Sequence, residues 1–156
     1  MSTLVLFRHA KAGSRKGFDG DDELRPLTKN GRFQAVEVAK TLSELPCDHI
    51  YSSRYLRCTQ SVEAFADVRQ LPVEILDALA EGSSREDQRE LFERVGQEDA
   101  VLCSHGDVLG GLLEILKKDG VEVDPERCEK GSMWIIATDP DGTKTATYLD
   151  PPRLNP

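Results

Sequence analysis

Histidine is scarce in this 156-residue chain, with three in all, and no two of its four cysteines form a Cys-x-x-Cys pair. Cys47, Cys58, Cys103 and Cys128 are widely spaced. That spacing argues against a zinc ribbon or a redox dithiol and leaves reduced thiols as the simplest expectation. Long apolar runs are also missing. Nothing approaches the roughly 20 residues that span a bilayer, and the first apolar run is too short for a signal peptide, so a cytoplasmic location with no membrane partner is expected. Positive charge is in deficit, with a net charge of −8. This argues against binding to nucleic acid polymers or acidic membranes. Repeats and linkers are absent as well. The length and the 38% hydrophobic content suit one globular domain over residues 1–150, followed by a Pro-rich tail at 151–156.

The charge that is present is unevenly placed. Residues 1–32 hold seven Lys/Arg against four Asp/Glu, whereas the remainder is strongly acidic. The local excess is either a solvated loop or a positive field that draws in a small anion. Short apolar runs at Thr3–Phe7, Asp48–Tyr51, Val73–Leu76 and Ala100–Ser104 read as strands. Helices are expected from the cap Thr28 to about Leu45, over 54–68 behind Ser52 and Ser53, from Ser84 to Val95, and over Val108–Lys118. In the first of these, Phe33, Val36, Ala39 and Leu42 step by three and suggest the buried face. Met133–Thr138 and Thr143–Leu149 flank the turn sequence Asp139-Pro140-Asp141-Gly142 and read as a hairpin. The alternation predicts a three-layer αβα sandwich, with a mostly parallel sheet and an antiparallel C-terminal hairpin.

Two histidines fall where chemistry is expected in such a fold. His9 follows the apolar run Leu4–Phe7 and His105 follows Ala100–Ser104, so both lie just past strand ends. A ring nitrogen without a proton can attack phosphorus. The transferring group stays anionic, so catalysis is then mostly positioning and electrostatic stabilisation. Arg8 supplies a planar fork of donors beside His9, and the amides near Gly106 add anion affinity at a helix start. Arg54 and Arg57 stand near a helix N-terminus, where the dipole disfavours a cation. Either an anion sits there or the side chains snorkel. A zinc site from His9, His105 and a carboxylate is disfavoured, because Arg8 and Arg57 would crowd the cation. Asp19-Gly20-Asp21-Asp22-Glu23 lacks the ligand spacing of a calcium loop and reads as an exposed acidic loop that repels substrate or orders around it. Arg15 and Lys16 are either substrate contacts or solvated. His49 is given no role.

Four short stretches occur together in order: Arg8-His9-Ala10, Leu27-Thr28-x-x-Gly31-x-x-Gln34-Ala35, Ser53-x-x-x-Arg57-Cys58-x-Gln60-Ser61, and Ser104-His105-Gly106. They resemble the motifs of the histidine phosphatase superfamily, the phosphoglycerate-mutase-like proteins, over nearly the whole chain. The short length resembles the SixA-type phosphohistidine phosphatases. Arg25-Pro26-Leu27 and the stretch from Asp119-Gly120 to Lys130-Gly131-Ser132-x-Trp134 resemble the phosphatase-like domain fused to some actinobacterial MutT-type Nudix hydrolases. The resemblance implies that His9 is the nucleophile that becomes phosphohistidine. It implies that Arg8, Arg57 and His105 bind the phosphoryl group, with Glu81 the general acid and Asp107 the runner-up. It implies no metal and no cofactor. The substrate is either a small phosphorylated compound or a phosphohistidine protein. The competing expectations are a mutase-type phosphotransferase and a non-catalytic domain that binds phosphate or nucleotide. Ala10 and Ser61 stand where the family usually has glycine and threonine, and both changes keep the chemistry.

Overall fold

Alternating side chains of the first strand build two separate cores. In the computed structural model, which describes residues 1–123 and 127–153, this strand is β1 (Ser2–Arg8). Leu4 and Leu6 face one way, Val5 and Phe7 the other, as the two-residue period of a strand dictates. Four α-helices and five more strands complete the frame among the described residues: α1 (Lys29–Leu42), β2 (His49–Ser52), α2 (Leu56–Arg69), β3 (Val73–Ile75), α3 (Arg85–Val95), β4 (Ala100–Ser104), α4 (Gly106–Lys118), β5 (Met133–Thr138) and β6 (Lys144–Leu149). Residues 124–126 of the expected polar connection and 154–156 of the expected tail lie outside the described residues.

The strands form one sheet in the order β3-β2-β4-β1-β5-β6. Pairs β2–β3, β2–β4 and β1–β4 are parallel, and β1–β5 and β5–β6 are antiparallel. Val38 and Leu42 of α1 and Val62 and Phe65 of α2 pack with Val5, Phe7 and Val101 on one face. Leu91 and Val95 of α3 and Leu109, Leu112 and Leu116 of α4 pack with Leu4, Leu6 and Leu102 on the other. Every residue of β4 is buried, as a central strand covered on both faces must be. The expected sandwich and terminal hairpin are therefore present. The hairpin turn closes as its sequence requires: the Asp139 carboxylate accepts from the Asp141 and Thr143 amides, and Gly142 takes φ +89°.

Four local expectations are corrected. In α1, Phe33 and Val36 are 41% and 49% exposed, and the buried face is Gly31, Gln34, Ala35, Val38, Ala39 and Leu42. A run of threes drifts about 60° around the helix at each step, whereas mixed steps of three and four stay on one side. The same helix stops at Leu42, short of Leu45. In α2, Ser52 and Ser53 do not cap; the helix begins at Leu56 behind Tyr55, which offers no side-chain cap. The Ser53 hydroxyl is drawn inward to His105 instead. Finally, α4 begins at Gly106, two residues before the expected start. All four cysteines are free. No helix among the described residues is long and apolar enough to cross a membrane.

Candidate active site

Register brings the two histidines together. Arg8 of β1 lies opposite Ser104 of β4 in the parallel ladder, so His9 and His105 emerge side by side from adjacent strands. The His9 amide donates to the Ser104 carbonyl at 3.0 Å. The two rings sit 5.5 Å apart, centroid to centroid. Loop contacts then fix the backbone after His9. The Ala10 amide donates to the Ser61 hydroxyl, which donates in turn to the Arg57 carbonyl. The Lys11 amide donates to Gln34, and Gly31 presses so close to Lys11 that a Cβ there would fall 1.9 Å from its carbonyl oxygen. Gln60 accepts from the Leu27 amide. Several residues of the four sequence motifs thus act as scaffolding around His9.

His9 is buried, and its Nδ1 lies 2.7 Å from the Ala10 carbonyl. A carbonyl only accepts, so Nδ1 carries the proton and Nε2 keeps its lone pair. Burial lowers the His9 pKa to about 3, with the Ala10 hydrogen bond opposing and the charges of His105, Arg57 and Arg8 assisting. The ring is therefore neutral. On His105, Nε2 meets the Ser53 hydroxyl at 2.9 Å. That hydroxyl also accepts from the Tyr55 amide, and the Cys58 Sγ lies 3.6 Å from the same ring nitrogen. With Ser53 as the donor, Nε2 accepts and the His105 proton sits on Nδ1, which is buried and has no partner among the described residues.

The arginines divide. Arg57 is 1% exposed, and its guanidinium reaches the Asp22 carbonyl at 2.9 Å, the Asp22 carboxylate at 3.2 Å and Glu81 at 3.6 Å. Arg8 donates to the Cys128 carbonyl and packs against Gly106, where any Cβ would come within 3.0 Å of its guanidinium carbon. The Nε atoms of both arginines are buried and have no partner among the described residues. Arg54, by contrast, turns to Glu23 at 2.9 Å, so that of the two arginines near this helix start only Arg57 lines the site. A cavity of about 330 Å³ is lined by His9, His105, Arg8 and Arg57 together with Arg15, Glu81, Asp107 and Lys130. Glu81 pairs with Arg15 at 3.1 Å. The Asp107 carboxylate accepts from the Gly82 amide at 2.8 Å, so it ties α4 to the loop that carries Glu81. A larger groove of about 800 Å³ runs along α4 and shares Gly106 and Asp107 with the site, but neither histidine lines it.

Two residues of the constellation escape sequence reasoning. Arg25 is buried, lines the cavity, donates to the Gly13 carbonyl and pairs with Asp22 at 2.9 Å. Asp22 gathers three guanidiniums, those of Arg15, Arg25 and Arg57. Burial disfavours its charge, yet the Arg25 hydrogen bond and the three positive charges outweigh this and hold its carboxyl below the usual range. The segment read as a free acidic loop is thus drawn in at Asp22 and Glu23. The only advance signal for Arg25 was its place beside Pro26-Leu27. Lys16 is exposed and does not line the cavity. His49 lies at the opposite end of the sheet, stacked on Tyr51 and 3.7 Å from Glu98. Among the described residues, no group of three or more His, Cys, Asp or Glu is arranged to hold a metal.

Comparison with known proteins gives this geometry a family. The profile of the histidine phosphatase superfamily (branch 1) matches residues 4–89, which include Arg8, His9, Arg57 and Glu81. An 8-oxo-(d)GTP phosphatase of Mycolicibacterium smegmatis is 31% identical over 157 residues; these cover 96% of this chain, which spans about half (48%) of that relative's length. Among solved structures, a SixA protein of Agrobacterium tumefaciens, described as a putative phosphohistidine phosphatase, superposes with a TM-score of 0.79 at 20% identity, covering 96% of this chain and 99% of the other. A phosphoserine phosphatase of Entamoeba histolytica superposes with a TM-score of 0.73 at 17% identity, covering 96% and 98%. These two likenesses are of fold. The chain belongs to the histidine phosphatase superfamily.

Proposed function

We propose that this member of the histidine phosphatase superfamily hydrolyses phosphoryl compounds in two steps, with residues 1–150 as the catalytic unit. The observation that carries the reading is the set of three buried nitrogens without partners, Arg8 Nε, Arg57 Nε and His105 Nδ1, around the cavity that also exposes His9. Three donors match the three non-bridging oxygens of a phosphoryl group. His9 Nε2 forms a bond to phosphorus as the bond from phosphorus to the leaving oxygen breaks. Glu81, which enters the cycle as the protonated acid, gives that oxygen its proton. Water then attacks the phosphohistidine, Glu81 takes the proton back, and phosphate and neutral His9 are released. The arginines hold the charge of the transferring group throughout, which is the task a metal performs in other phosphatases.

The Mycolicibacterium relative is named for 8-oxo-(d)GTP and the solved neighbours for phosphohistidine and phosphoserine. What these share is the phosphoryl group. The resemblance to the Nudix-associated phosphatase-like domain favours small phosphorylated compounds, nucleotides included, over a phosphohistidine protein. A cytoplasmic setting goes with that reading. The test is to mix the protein with ³²P-labelled acetyl phosphate, quench in alkali and map the label. The expected result is phosphohistidine at position 9, no label in His9→Ala, and turnover of p-nitrophenyl phosphate that vanadate inhibits. Binding of phosphate with neither label nor turnover would make the chain a non-catalytic binding domain.

A further inference from the structure

Lys130 has no task in the two steps, yet it lines the same cavity as His9, Arg8 and Arg57. Its place is built into the fold. The next residue, Gly131, sits at φ +86° and donates its amide to the carbonyls of Arg8 at 3.2 Å and His9 at 3.0 Å. A Cβ on Gly131 would press within 3.3 Å of Gln34 and Pro151. Lys130 is thereby hung beside the strand end that carries the nucleophile.

The other cations of the cavity have protein partners. Arg15 has Glu81, Arg25 and Arg57 have Asp22, and Arg8 has the Cys128 carbonyl. The Lys130 ammonium has no hydrogen bond or ion pair among the described residues. Lys130 is exposed at the cavity mouth, yet what burial it has lowers its pKa, and the charges that add to this, those of Arg8, Arg25, Arg57 and Lys11, are all positive. The carboxylates of the cavity are engaged elsewhere, Glu81 by Arg15 and Asp107 by the Gly82 amide, and an ammonium among like charges that no carboxylate pairs is relieved by an anion. The transferring phosphoryl group is already met by three donors, one for each non-bridging oxygen, so the ammonium is left over.

We propose that Lys130 binds a second anionic group of the substrate, joined next to the phosphoryl group that passes to His9. The adjoining phosphate of a diphosphate fits this chemistry, and a carboxylate at the same separation shares it. The inference rests on the proposed function in one respect: it takes the phosphoryl group to be seated on Arg8, Arg57 and His105.

Calorimetric titration with three non-hydrolysable probes tests it on the intact protein. Methylphosphonate carries one anionic group, methylenediphosphonate two phosphonates, and phosphonoacetate a phosphonate and a carboxylate. The wild type is expected to prefer a two-anion probe over methylphosphonate. In Lys130→Ala that preference falls about tenfold, the worth of one charged hydrogen bond, and Lys130→Arg restores most of it. The probe that loses affinity identifies the second group as phosphate or carboxylate. An equal loss on all three probes, or no loss on any, overturns the proposal. Binding needs no turnover, so a failure to trap label on His9 would remove the hydrolytic reading while this comparison still stands or falls by itself.

Discussion

His9, His105 and Arg57 are almost wholly buried, whereas the side chains of Asp22, which pairs with Arg57, and of Glu81, which lines the cavity, are 31% and 34% exposed. The first group forms a floor. Its two histidines are set by the β1–β4 ladder, and its arginine sits in the first turn of α2, locked through Ser61 to the backbone at Ala10. The second group forms a rim on loops, held by ion pairs such as Arg15–Glu81 and by single hydrogen bonds such as Asp107 to Gly82. Buried donors in a dry site act at low dielectric and need no rearrangement during reaction, while half-exposed pairs are screened by salt and contribute little to stability. The floor is thus suited to holding the transferring charge. The rim is suited to adjusting which leaving group departs and when.

The comparison is sharpest at Arg57. Arg57→Ala is expected to lower kcat/KM for p-nitrophenyl phosphate by about 10²–10³, the usual loss for one preorganised donor at a developing charge. A loss under tenfold would move Arg57 from floor to rim. Glu81→Gln comes next, with about a hundredfold loss on an alkyl phosphate, whose leaving oxygen needs a proton. On p-nitrophenyl phosphate the same variant should lose far less, and equal losses on both would deny Glu81 the role of acid.

The floor also makes a pH prediction. The His9 pKa lies at about 3 in the folded protein against 6.5 for an unperturbed ring. Between those values the unfolded chain takes up a proton that the folded one refuses. The His9 contribution is therefore fully present above pH 6.5 and is lost as pH falls towards 3, at up to about 1.4 kcal/mol per pH unit. Urea midpoints measured from pH 7 to 4 should fall more steeply for the wild type than for His9→Ala, and parallel curves would locate the acid sensitivity elsewhere. The smallest effect is expected at Asp107. Asp107→Asn keeps an oxygen that can accept from the Gly82 amide, so activity should drop less than tenfold. A hundredfold loss there, with Glu81→Gln spared, would transfer the acid role to Asp107.

The strand positions, the sandwich and the meeting of His9 with His105 were legible in the sequence, because buried strands announce themselves by continuous apolar runs and ligands collect at their carboxyl ends. The face of α1 was misread because a step of three looks periodic in one dimension but rotates off the face in three. Ser52 and Ser53 looked like caps because serine before a helix usually is one; a hydroxyl buried beside His105 had a stronger partner. Asp22 and Arg25 were missed for a different reason. They pair with each other, but their further partners Arg57 and Gly13 come from separate stretches of chain, and an acidic run reads as solvated until the fold closes it.

The sequence by itself determined the chemical inventory: two histidines at strand ends, arginines to meet an anion, a loop glutamate and an apolar pattern that builds the sheet beneath them. Tertiary structure alone decided which ring nitrogen of His9 is free, which three nitrogens are left without partners among the described residues, and which lysine of the cavity has no ion pair there. The physical reason is that residue type fixes what a group can donate or accept, while burial and the remaining partners in space fix what it still has to offer.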